Sequence, residues 1–101
     1  MTAPAQFGVH RTGGGTLVVV VQSDLLADIS TRVVVPLVEP EAPGAQIRRL
    51  NPILPLGDRN VMLLTQQIAT LTSRELGAAV GSLSHVRDDI VRAIDTLLSG
   101  V

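Results

Sequence analysis

The chain has 101 residues, with eight arginines, no lysine and nine acids, for a formal net charge of −1. Apolar residues make up 46 %, and Phe7 is the one aromatic. That excludes a disordered chain, which needs low hydrophobicity and high net charge, and a dedicated nucleic-acid binder, which shows a basic excess and stacking aromatics. The absence of cysteine excludes disulfides, thiolate metal sites and a cysteine nucleophile. Two histidines cannot close a zinc site without carboxylate help, and no cofactor motif is present. The length suits one domain over residues 1–101 with a real core.

Residues 1–6 lack the basic start and apolar stretch of a signal peptide. The longest apolar run, Leu17 to Val21, is far short of the roughly 18 residues needed to span a bilayer. The expectation is a cytoplasmic protein without membrane contact.

In chain order, Phe7 to His10 reads as a weak first strand, closed by the turn Gly13-Gly14-Gly15. Thr16 to Gln22 and Thr31 to Val38 (TRVVVPLV) are β-branched runs without alternation, so they read as strands covered on both faces. Pro36 has no N–H to give, which places it at an edge or a bulge. Between these runs, residues 23–30 carry Leu25, Leu26 and Ile29, aliphatics that are unusual in a loop and suggest a partner. Six prolines and glycines punctuate residues 39–60 and exclude a long helix there. Short strands are expected within that segment, around Ile47 to Leu50. Asn60 to Thr65 and Ile68 to Leu71 read as two more strands. Ser73 to Leu83, interrupted by Gly77 and Gly81, allows only a short turn or helical piece. From Ser84 to Leu98 the apolar residues Val86, Ile90, Ile94, Leu97 and Leu98 line one helix face. Ser84 is the expected N-cap, Asp88 and Arg92 an i,i+4 pair, and Gly100 the stop. The sum is a mostly antiparallel β domain closed by a C-terminal helix.

The chemistry-bearing letters give no catalytic set. Ser84 and His85 are adjacent on a helix and point apart, so with Asp88 and Asp89 they do not make a triad. His10 has no partner that the sequence identifies. The three glycines precede a strand, not the helix of a phosphate-binding loop. Arg48-Arg49 is too short for a basic patch. Glu39 and Glu41 lack a metal-type motif.

Two stretches carry more. Val21-Gln22-Ser23-Asp24-Leu25-Leu26, followed by Arg32-Val33-Val34-Val35-Pro36-Leu37, resembles a segment of the CcdB toxins. Leu83-Ser84-His85 with Asp89-Ile90, Ala93-Ile94 and Gly100-Val101 resembles that family's last helix, and Gln6-Phe7 and Ile53 to Asp58 also fit. The resemblance implies the toxin of a type II toxin–antitoxin system: a homodimer with an antiparallel, SH3-like barrel sheet and a C-terminal helix. It implies a non-enzymatic poison that grips the DNA gyrase A subunit and is removed by a CcdA-like antitoxin, with no direct nucleic-acid contact of its own. Carried over by position, the gyrase-facing residues are Ser23, Leu25, Leu26, Asp95, Leu98, Ser99, Gly100 and Val101. The antitoxin-facing surface involves Arg11, Gly13, Gly14 and Gly15, with Glu39, Glu41, Gly44 and Gln46 in the Pro/Gly-rich segment. The best-known family toxin has Trp where this chain has Ser99, which weakens the expected poisoning. A ribonuclease of the MazF type and a non-toxic, antitoxin-binding protein are the alternatives.

An aliphatic sheet of this kind exposes more apolar surface than a monomer tolerates, and two-fold pairing is the commonest remedy. Sedimentation at micromolar concentration is expected to give a dimer; a monomer would contradict this.

Overall fold

The computed structural model describes residues 3–41 and 47–100. The architecture follows from the second valine-rich run. Strands form at Gly8–Arg11 (β1), Leu17–Val20 (β2), Thr31–Val38 (β3), Ile53–Leu56 (β4), Arg59–Leu63 (β5), Ala69–Thr72 (β6) and Ala79–Ser82 (β7), before the helix Arg87–Ser99 (α1). They make one curled, wholly antiparallel sheet in the order β4-β5-β3-β2-β1-β7, with β6 also paired to β3.

β3 is the spine. One edge pairs with β2, from Val34 opposite Val20 to Leu37 opposite Leu17. The other edge is shared: Thr31 to Val34 pair with β6, and Leu37 and Val38 pair with β5. Pro36 sits in the gap between those two partners. Its missing N–H would point into that gap, and its carbonyl accepts from Leu64 N–H at 2.9 Å. The edge expected from the proline is thus an interruption inside a central strand.

Because side chains alternate across a strand, both faces of the valine runs are buried. Val9, Leu17, Val19, Val35 and Leu37 join Leu54, Leu63, Leu83, Ile90 and Ala93 in the main core under α1. Val18, Val20 and Val34 face the other way and pack with Leu76 in a smaller core. Leu76 is carried by the 3-10 turn Ser73–Leu76, which opens with a capping box. Glu75 N–H donates to Thr72 Oγ1, and Thr72 N–H donates to the Glu75 carboxylate at 3.0 Å. That backbone N–H, more than the Thr72 hydroxyl, holds the exposed Glu75 carboxyl below its ordinary value. Phe7 is buried at positive φ, 67°, held by its N–H to Val20 O and its carbonyl to Leu83 N–H. Arg87 lies 5.5 Å from its ring centroid.

Four local expectations are corrected. Residues 47–50 form a turn closed by Leu50 and Asn51 N–H on Ile47 O, not a strand. The strands of that segment are β4 and β5, a hairpin turning at Gly57. Ser73 to Leu83 holds β7 as well as the turn. Ser84 does not cap α1: it opens a short 3-10 turn, Ser84–Val86, and its hydroxyl accepts from Ser82 Oγ. Arg92 pairs with Asp89 at 3.2 Å, three residues back on the same helix, not with Asp88.

Ile90 is fully buried while its neighbour Val91 is exposed. Ile90→Ala is expected to cost about 2–5 kcal/mol by chemical denaturation. Val91→Ala is expected to change stability by less than about 0.5 kcal/mol.

Candidate functional site

Beyond Val21, whose N–H still bonds Val33 O of β3, the exposed segment between β2 and β3 leaves the strand ladder and is held by other hydrogen bonds. Ser23 Oγ and O accept from Leu25 and Leu26 N–H, setting up the 3-10 turn Asp24–Leu26. The Leu26 carbonyl accepts from Ile29 N–H and from the Gln22 side chain. That side chain also bridges the base of the segment: its Nε2 donates to Thr31 O and its Oε1 accepts from Val33 N–H, both at 3.1 Å. Asp24 accepts from the Gln6 N–H at 2.8 Å. Ser30 O accepts from both the N–H and the hydroxyl of Ser73.

The carbonyls of Ala27 and Ile29 converge on Arg32, which is only 3 % exposed. Its Nε donates to Pro4 O at 3.2 Å, Nη1 to Thr31 O at 2.9 Å and to Ile29 O, and Nη2 to Ala27 O at 3.1 Å. Among the described residues no carboxylate pairs with it. A buried charge is tolerable only when hydrogen bonds replace its hydration, and here backbone carbonyls do so. With the backbone tied inward, the apolar side chains are left outward: Leu25 is 94 % exposed, and Leu26 and Ile29 are about half exposed.

At the other end of the chain, Asp95, Leu98, Ser99 and Gly100 occupy the last turn of α1 and its cap. Leu98 is 76 % exposed. Gly100 takes φ 76° and its N–H closes on Thr96 O, a left-handed cap that favours glycine. The Ser99 hydroxyl donates to Asp95 O at 2.7 Å, so it is satisfied within its own helix and offers no apolar surface. Val101 lies outside the described residues. The helix packs mainly on the main core and the turn Thr65–Gln67, so its exposed end and the Leu25 turn are two patches on separate elements.

The hairpin between β1 and β2 is ordered. Arg11 donates to Gly15 O at 3.1 Å, Thr12 and Thr16 bond across it, and Gly13, Gly14 and Gly15 are exposed. Beside it a groove of about 680 Å³ runs over the second face of the sheet, past Arg11, Val18, Val34, Leu71 and Arg74. Glu39 is exposed and pairs with Arg59 at 2.7 Å, and Glu41 is exposed. Gly44 and Gln46 lie outside the described residues. The hairpin and Glu39 lie at the same end of the sheet, because Leu37 of β3 pairs with Leu17, the first residue of β2 after the hairpin.

A second cavity, of about 1080 Å³, lies behind the connector, lined by His10, Asp28, Arg32, Ser73 and Arg74. His10 is buried and its Nδ1–H donates to Gly77 O at 3.1 Å, which leaves Nε2 facing the cavity side of the ring. Gly77 is needed there: its φ is 64°, and a Cβ would stand 3.0 Å from Arg11 O. His85 Nε2–H donates to Pro55 O at 3.0 Å, which ties the helix lead-in to β4. Among the described residues no cluster of His, Asp and Glu could hold a metal ion, and no helix is long and apolar enough to cross a membrane. Sequence reasoning missed Gln22 and Arg32. The available signal was alternation, which sets Arg32 on the same sheet face as Val34.

The fold is shared with a solved structure described as an endoribonuclease from mycobacterial species. The two superpose with a TM-score of 0.80 over 97 % of this chain and 93 % of that one, at 21 % sequence identity. At that identity the likeness establishes the fold alone. The model of the CcdB protein family matches residues 6–100, nearly the whole length. The chain therefore belongs to the CcdB family, the toxins of toxin–antitoxin systems.

Proposed function

We propose that this protein acts by binding rather than catalysis, as a homodimeric toxin that engages the A subunit of DNA gyrase and is neutralised by a CcdA-like antitoxin. The observation that carries the reading is Leu25: an aliphatic side chain 94 % exposed on a turn whose backbone is pinned by hydrogen bonds from Ser23, Gln22 and Arg32. An apolar group held out from an ordered backbone fits an interface anchor better than a mobile loop tip. Leu26, Leu98 and the Gly100 cap add to the proposed gyrase-binding surface, with Ser23 and Asp95 holding their turns; Ser99 and Val101 are the remaining members proposed for it. The antitoxin is proposed to use the Arg11 to Gly15 hairpin with its groove, together with the 39–46 segment bearing Glu39, Glu41, Gly44 and Gln46.

Ser99 limits the activity. A Trp anchor at an interface centre is worth about 2 kcal/mol or more, and a serine bonded to its own helix supplies none of that area. At about 1.4 kcal/mol per decade, gyrase affinity is expected to be about 30-fold or more below that of a Trp-bearing relative. Ser99→Trp should raise the yield of linear DNA made by purified gyrase at matched toxin concentrations. Strong cleavage with the unmodified protein would overturn this expectation.

The second reading, a ribonuclease, is favoured by one observation: among the described residues His10 Nε2 has no hydrogen-bond partner, and it shares its cavity with Arg32 and Arg74. Against it, the Arg32 donors are already taken up by carbonyls, and general acid–base work needs a second positioned proton-transfer group. Purified protein is expected to leave a mixed-sequence RNA intact. Cleavage that disappears in His10→Ala would replace the binding reading with the catalytic one.

A further inference from the structure

We propose that Arg32, assisted by Gln22, is the positioning residue of the target-binding surface: it holds the backbone that aims Leu25, Leu26 and Ile29 into solvent. The inference rests on the binding reading above and adds the part of the chain that makes it possible.

The backbone of the connector shows why these two side chains matter. The carbonyls of Ser23 and Asp24 are used by the 3-10 turn itself, and that of Ser30 by Ser73. The carbonyls of Ala27 and Ile29 are taken by Arg32, and that of Leu26 by Ile29 N–H and Gln22. Remove the guanidinium and Ala27 and Ile29 lose their anchors, leaving the second half of the connector held through Ser30 and Ser73. The first half then keeps its own short turn, the Gln6 bond to Asp24 and the Gln22 bond to Leu26 O. A 3-10 turn of one loop is too weak to hold three aliphatic side chains away from one another in water, where their mutual burial is favourable. Arg32 itself spends its donors on backbone carbonyls and is 3 % exposed, so it is not offered to a target. It acts by keeping the binding-competent form populated, so its loss lowers apparent affinity by the fraction of chains that leave that form.

Geometry explains the residue type. Carbonyls of residues 4, 27, 29 and 31 approach from several directions, and only a planar fork with five donors can serve them together. Lysine carries the same charge but offers a single nitrogen at the end of its stem. Arg32→Lys is therefore the discriminating substitution, and Gln22→Met, which keeps length and volume, is the milder second one.

Amide hydrogen exchange on the full-length protein supplies the direct readout. In Arg32→Lys the amides of Leu26, Ala27 and Ile29 should exchange at least tenfold faster, while those of Val19, Val20, Val34 and Val35 keep their protection. Gln22→Met should give the same pattern more weakly, and it decides the matter if Arg32→Lys does not fold. Equal loss of protection in connector and core would make Arg32 a residue of global stability and overturn the proposal. Unchanged connector exchange in both variants would overturn it too. Binding of the purified gyrase A subunit is the second readout, with at least a tenfold loss expected in Arg32→Lys. If the unsubstituted protein does not bind gyrase, the functional reading fails, while the exchange pattern still decides whether Arg32 positions the connector.

Discussion

Arg32 puts a positive charge into an apolar strand run, and the chain answers by folding backbone carbonyls around it. Strand alternation aims the side chain inward beside Val34, where no carboxylate waits. Its hydration is replaced by oxygens drawn from the N-terminal segment and from the connector between β2 and β3. Because those oxygens must turn inward, the connector's aliphatic side chains turn outward. One buried guanidinium thus links the core of the sheet to the most exposed leucine of the described chain.

The sheet around it depends on the same economy of backbone groups. β3 reaches two partners along one edge, and the proline at the changeover occupies the one place where no donor is required. Both faces are then filled, one under α1 and one under Leu76. Thr65 and Asn51 show the same logic at the other end. Each is buried and spends its polar atoms on backbone of the adjoining loop and strand: Thr65 on Leu50 O, Asn51 on Leu63 O and on Ile47 N–H.

Much of this was legible in the residues. The two valine runs announce strands buried on both faces, TRVVVPLV has the bounds of β3, and the spacing from Val86 to Leu98 announces the helix. β7 was not legible, because Ala79-Val80-Gly81-Ser82 is exposed throughout and carries neither alternation nor a β-branched majority. Ser84 looked like a cap because the sequence does not show a 3-10 turn inserted before α1. The candidate site was legible only in its outward half. Leucines in a loop attract notice on composition alone, whereas the bonds of Gln22 and Arg32 join residues that only the folded chain brings together. Fold likeness could not supply the rest, since the same architecture occurs in a protein described as an endoribonuclease.

The central claim is that an aliphatic surface on a fixed backbone, and not the cavity behind it, meets the target. Mapping amide shifts of isotope-labelled protein on addition of the purified gyrase A subunit tests it most directly. The account predicts shifts concentrated at Leu25, Leu26, Leu98 and Gly100, with His10, Arg74 and Gly77 unmoved. Shifts confined to the His10 and Arg74 cavity, or none anywhere, would contradict it.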